Sequence, residues 1–93
     1  MIVELHAILK GKVQGVGFRW TIVDHAEKFN LTGTVQNLKD GSVEIFAQGT
    51  QEALEEFVDA VQGDTGHAEI DSFQSEYKNT ENTYQGFRIL HKS

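Results

Sequence analysis

The sequence contains no cysteine, and it has no apolar run near the roughly 20 residues that a membrane-spanning helix requires. The first absence excludes a disulfide framework, a thiolate nucleophile and a zinc–thiolate site, and it suits a reducing compartment. The second leaves no candidate membrane segment. Met1-Ile2-Val3-Glu4 also lacks the basic region and long apolar stretch of a signal peptide, so a cytoplasmic protein is the expectation. Basic side chains are scarce: eight Lys and Arg stand against fourteen Asp and Glu, a formal charge of −6. Affinity for nucleic acid comes mainly from Lys and Arg against phosphate, so no nucleic-acid partner is expected. Only the stretch from Lys10 to Arg19 is locally basic with no acid between. A small anion is a different matter, because a few local groups suffice to hold one.

What is present suffices for a core. With 39% hydrophobic residues over 93 positions, the chain suits one domain, residues 1–93, burying roughly 65% of its unfolded surface. Residues 2–10 alternate, with Val3, Leu5, Ala7 and Leu9 on one face and Glu4, His6 and Lys10 on the other, the pattern of a half-exposed strand. Gly11, Gly15 and Gly17 mark a loop. Phe18, Ile22, Ala26 and Phe29 then follow helical spacing to about Asn30. Residues 34–38 and 43–47 are β-rich and flank Lys39-Asp40-Gly41-Ser42, a hairpin signal. A second helix follows Gly49, with Thr50 as N-cap, Leu54, Phe57, Val58 and Val61 as buried stripe, and Gly63 as stop. A weaker strand is expected over 67–77 with its phase disturbed before Phe73, then a loop over 79–83 and a last strand over 84–91. The order βαββαβ plus one strand predicts an α+β, ferredoxin-like sandwich with both helices on one face of a mostly antiparallel sheet.

Residues 11–19, Gly-Lys-Val-Gln-Gly-Val-Gly-Phe-Arg, are the most informative. Glycines two apart allow successive N–H groups to converge on an anion, and the loop runs into a helix whose first N–H groups are unpaired. Arg19 in the first turn is unfavourable beside the dipole's positive end unless it and the amides share an anion. The glycine spacing alone fits a tight strand–helix connection with a solvated Arg equally well. It is not a Walker loop, since Val13 stands where Ser or Thr would bind magnesium. A dinucleotide fingerprint would need a third glycine. The Gly/aromatic run of an RNA-recognition motif belongs on the third strand, which here offers only Phe46. Asn37 shares strand parity with Val35, so a polar amide falls where an apolar side chain is expected. The alternative is that it simply opens the hairpin turn.

Val-Gln-Gly-Val-Gly-Phe-Arg before a helix, then Gly-x-Val-x-Asn-x-x-Asp-Gly-x-Val-Glu over 33–44, resembles the acylphosphatase family. Gly49, Ala68 and Phe87-x-Ile89 extend the likeness over nearly the whole chain. The resemblance implies a small hydrolase that cleaves a carboxyl–phosphate anhydride to carboxylate and phosphate, with no metal or cofactor. It implies a phosphate-binding role for Arg19 and for the backbone amides of Gly15, Val16, Gly17 and Phe18, and a water-orienting role for Asn37. Thr34 and Gln36 depart from the Trp and Arg common in the family, Lys39 from a frequent Pro, and Gly63-Asp64 from a common Gly-Pro.

Other features have plainer readings. His6, His25, His67 and His91 are separated by 19, 42 and 24 residues, without an i,i+4 zinc pair, and are expected to be surface or half-buried. Trp20 and Phe46 are expected to be packing residues, and Glu52, Glu55 and Glu56 a solvated helix face. Lys10 and Lys12 are expected to join Arg19 and the loop amides in one small positive pocket. The competing class of function is a phosphate-binding or regulatory module without turnover. Nothing in the sequence calls for more than a monomer.

Overall fold

Alternation of Val3, Leu5, Ala7 and Leu9 with more polar neighbours produces β1 (Ile2–Lys12) in the computed structural model, which describes residues 2–80 and 83–91. The order continues with α1 (Phe18–Lys28), β2 (Thr32–Asn37), β3 (Val43–Gly49), α2 (Gln51–Gly63), β4 (Glu69–Thr80) and β5 (Phe87–Leu90). The strands form one sheet in the order β4-β1-β3-β2-β5; only the β2–β5 pair is parallel. Leu5, Ala7 and Leu9 meet Val35, Val43, Ile45 and Ala47 under Ile22, Ala26, Leu54, Phe57 and Val61, all at most 1% exposed. Both helices therefore cover one face of the sheet, as the one-sided stripes require.

Each helix end has a local cause. Thr50 Oγ1 accepts from the Ala53 amide at 3.1 Å, closing the start of α2, a cap worth about 1 kcal/mol. At the end of α1, Asn30 adopts φ +56, and the Asn30 and Leu31 amides bond to the Glu27 and Ala26 carbonyls at 3.2 and 3.0 Å. That is a Schellman cap with Asn in the left-handed position, and it turns the buried Leu31 back into the core.

Three expectations change in extent. The strand expected over 67–77 runs as β4 from Glu69 to Thr80, because polar Gln74, Glu76 and Lys78 pair with β1 along its whole length. Its disturbed phase is a bulge: Lys10 pairs with Ser72 and Gly11 with Ile70, which leaves Asp71 as the extra residue. The expected loop over 79–83 thus begins later, and positions 81 and 82 lie outside the described residues. The last strand starts at Phe87 rather than Tyr84. Gly86 takes φ +70, and its carbonyl accepts the Gly33 amide at 2.9 Å, so the ladder with β2 opens only after that turn.

Candidate functional site

The register of the sheet brings the loop after β1 to the hairpin between β2 and β3. Leu9 pairs with Val43, and Val43 pairs with Asn37, so these three lie side by side on the helix-bearing face. Val13, 1% exposed, and Phe18, 1% exposed, anchor the two ends of the intervening loop in the core. Gly15 and Gly17 both take φ +75, while Val16 between them does not enter the positive region. This alternation is the backbone form of an anion-binding nest. A Cβ at either glycine would meet nothing within 4 Å, so the need for glycine is conformational rather than steric.

Gly17 is the N-cap of α1 and supplies no side-chain cap, and the first turn carries no acid. The first amides of α1 are therefore left without the intramolecular partner that Thr50 gives α2. Arg19 lies in this turn, half-buried, and its guanidinium makes no hydrogen bond or ion pair among the described residues. Asn37 is half-buried as well, and its Oδ1 is fully buried without a hydrogen-bond partner. A buried acceptor left unpaired costs about 1–3 kcal/mol, so its presence at the end of a well-formed strand needs a reason.

The side chain of Gln14 joins the two segments. Its Nε2 donates to the carbonyls of Leu38 and Ser42, both at 2.8 Å. From sequence, Gln14 is one residue of the loop motif with no role of its own. Its partners lie 24 and 28 residues away, and the only local signal is a carboxamide donor in a glycine-rich loop. In the hairpin itself, Asp40 Oδ1 accepts from the Ser42 hydroxyl and, at 3.0 Å, from the Ser42 amide. The hydroxyl bond, then the amide bond, holds the Asp40 carboxyl below its usual pKa of 3.8. Asp40 is thus occupied as an acceptor and poor as a base.

The expected positive pocket is smaller than the sequence suggests. The Lys12 ammonium lies 3.8 Å from Glu69, with both side chains exposed, and Lys10 acts on the Asp40 carboxylate. Arg19 and the loop amides have no such partner among the described residues. Two shallow concavities lie elsewhere, one of about 230 Å³ lined by His6, Ile8, Gln74, Ser75 and Glu76, the other of about 350 Å³ around Thr34 and Arg88. Neither is lined by Asn37 or by a residue of loop 11–19.

The structure corrects two of the plainer readings. His25 is not on the surface: it is 6% exposed, and its Nε2 donates to the Asp64 carbonyl at 2.9 Å, tying α1 to the end of α2. A buried imidazole is stable there because a backbone acceptor meets it. Trp20 is not a packing residue, since it is 67% exposed and points away from the core that Phe18 and Ile22 enter. Phe46 does pack, stacked on the His6 ring with centroids 4.4 Å apart. His6 Nε2 and Gln36 Nε2 both reach Glu44, at 2.8 and 2.9 Å, on the face without helices. The Gln36 departure therefore lies on the opposite side of the sheet from Asn37. Glu52, Glu55 and Glu56 are exposed, as expected. Among the described residues no group of three or more His, Asp or Glu is arranged to hold a metal ion, and no helix is long and apolar enough to cross a membrane.

Sheet, helices and open loop together define a ferredoxin-like α+β protein with uncapped amides and Arg19 at the start of its first helix. The acylphosphatase family model matches residues 5–89. The acylphosphatase of Geobacillus kaustophilus is 38% identical over 90 residues, covering 97% of this chain and 96% of the relative. That of Treponema denticola is 44% identical over 85 residues, covering 91% and 89%. The crystal structure of acylphosphatase from Bacillus subtilis superposes with a TM-score of 0.91 at 34% identity, covering 96% of this chain and 99% of the other. The chain belongs to the acylphosphatase family.

Proposed function

We propose that this chain hydrolyses acyl phosphates, with water attacking phosphorus in line and the carboxylate leaving. In the proposed complex the amides of Gly15, Val16, Gly17 and Phe18 and the Arg19 guanidinium hold the phosphoryl oxygens. They meet the charge spread over those oxygens in a loose transition state. Asn37 Oδ1 accepts one hydrogen of the attacking water, which aims a water lone pair at phosphorus. The P–O bond to the acyl group breaks as the new P–O bond forms. A carboxylate is a good leaving group and requires no strong acid. Asp40 is the sole carboxylate in loop 11–19 and hairpin 37–43, and its lowered pKa makes it a weak proton acceptor. The water's proton therefore passes to the phosphoryl oxygens in this reading.

The observation that carries the proposal is the buried, unpaired Oδ1 of Asn37 beside the loop. A structural asparagine would spend that lone pair on the protein. Left open, that lone pair is available in this reading to a water that enters with the substrate. The proposal includes a monomer that works on a small acyl phosphate in the cytoplasm without a metal. It is tested with acetyl phosphate in the presence and absence of a chelator. Turnover that survives the chelator and falls at least about 100-fold in both Arg19→Ala and Asn37→Ala supports it. A wild-type protein that binds inorganic phosphate without turning over acetyl phosphate would make the chain a binding module and end the proposal.

A further inference from the structure

We infer that Gln14 is the positioning residue of this site: its carboxamide fixes the hairpin that carries Asn37 against the loop that cradles phosphate. The inference rests on the site proposed above and concerns how its two halves are held in register.

The two halves come from segments far apart in sequence, and chemistry requires them to agree closely. Misplacing a reacting group by about 1 Å costs on the order of 100-fold in rate. Among the described residues, the two bonds from Gln14 Nε2 are the sole hydrogen bonds joining residues 13–19 to residues 37–43. Their acceptors are well chosen. Leu38 immediately follows Asn37, and Ser42 immediately precedes Val43, the residue paired with Asn37. The clamp thus grips both arms of the hairpin one residue to the turn side of the Asn37–Val43 pair. On the other side of the clamp, Gln14 leads directly into Gly15, the first residue of the nest.

Both acceptors already serve the hairpin. The Ser42 carbonyl accepts the Leu38 amide at 2.8 Å, and the Leu38 carbonyl accepts the Gly41 amide at 3.2 Å. Gln14 uses the second lone pair of each carbonyl. Removing it therefore leaves the turn closed by its own backbone bonds and orphans no carbonyl. What is lost is the tie between loop and hairpin, which is why Gln14 should govern alignment more than folding. A carboxamide suits the task because one nitrogen presents two N–H groups in a fixed plane, matching two fixed acceptors.

The test is a kinetic split in the full chain, with acetyl phosphate as substrate and inorganic phosphate as competing ligand. Gln14→Met keeps the length and removes both donors. The expected result is a fall in kcat of about 10–100-fold, with the inhibition constant for phosphate changed less than about 3-fold. The amide cradle is then intact but misaligned with the water. In the Asn37→Ala background the same substitution should cost less than about 3-fold in kcat, because no oriented water remains to misalign. If Gln14→Met fails to fold, Gln14→Asn takes its place, since a side chain one methylene shorter cannot span both carbonyls. Full turnover in either folded variant overturns the inference, as does equal loss of kcat and phosphate affinity. So does a penalty that is the same with and without Asn37. Unimpaired turnover in Asn37→Ala alone would instead remove the site reading itself, and the inference with it.

Discussion

Replacing Asn37 with Leu should stabilise the protein while destroying its activity. Leucine has nearly the shape of asparagine, with two methyl groups in place of Oδ1 and Nδ2. In the native chain Oδ1 is buried and unpaired, a penalty of about 1–3 kcal/mol that Leu removes. The backbone pairing of position 37 with Val43 is untouched, and Asn is the poorer strand former. Some of the gain is offset, because the half-exposed side chain now shows methyl groups to water. A net gain of about 1 kcal/mol is the expectation, which in a domain of this size raises Tm by roughly 4–8 °C. Urea unfolding should show a higher midpoint at an unchanged slope. Acetyl phosphate turnover should fall by at least about 100-fold, the cost of losing an oriented nucleophile. A drop in Tm of several degrees would mean that Asn37 holds the hairpin together. Retained turnover would mean that it orients nothing. Either result would show that the unpaired Oδ1 is not kept for function.

The backbone supplies a sharp contrast between glycines. Gly33 takes φ +148, and a Cβ there would sit 1.8 Å from the Phe46 carbonyl oxygen, so Gly33→Ala should cost about 3 kcal/mol or more and lower Tm by over about 10 °C in calorimetry. At Gly63, in the last turn of α2 with open space around it, Gly63→Ala should instead be neutral or stabilising by up to about 1 kcal/mol. Asp40 supplies a pH signature. Its folded pKa lies below 3.8, so the unfolded chain binds its proton first on acidification; the stabilisation is full above pH 3.8 and is lost as pH falls through the folded value. The stability difference between wild type and Asp40→Asn in urea unfolding should therefore shrink between pH 5 and pH 2. A constant difference over that range would show that the Ser42 bonds do not act through the charge.

A residue's role is legible in the sequence where it depends on neighbours within one turn or one strand. The stripes Phe18-Ile22-Ala26 and Leu54-Phe57-Val61, the Asp-Gly hairpin and the Thr50 cap are all local patterns, and the architecture follows from their order. The parity of Asn37 with Val35 is equally local, and it marks the acceptor that the structure leaves unpaired. The limits lie in groups whose partners are distant. His25 sits beside its helix's apolar stripe and is buried because the Asp64 carbonyl, 39 residues on, satisfies its ring. The polar end of β4 resembles a loop in composition, yet it forms a strand because β1 is long enough to pair with it. Lys12 appears free in sequence and faces Glu69 in space. Gln14 is the extreme case, since both of its partners are backbone carbonyls and carry no side-chain signal at all.

In the proposed reaction water, aimed by Asn37, attacks a phosphorus held by the loop and Arg19. Hydrolysis of acetyl phosphate by the full chain in ¹⁸O-labelled water tests it directly, with both products weighed by mass spectrometry. One labelled oxygen in each phosphate and none in the acetate is the predicted result, because the bond between phosphorus and the bridging oxygen is the one that breaks. Label in the acetate would place the attack at the carbonyl carbon and rule out direct phosphoryl transfer to water.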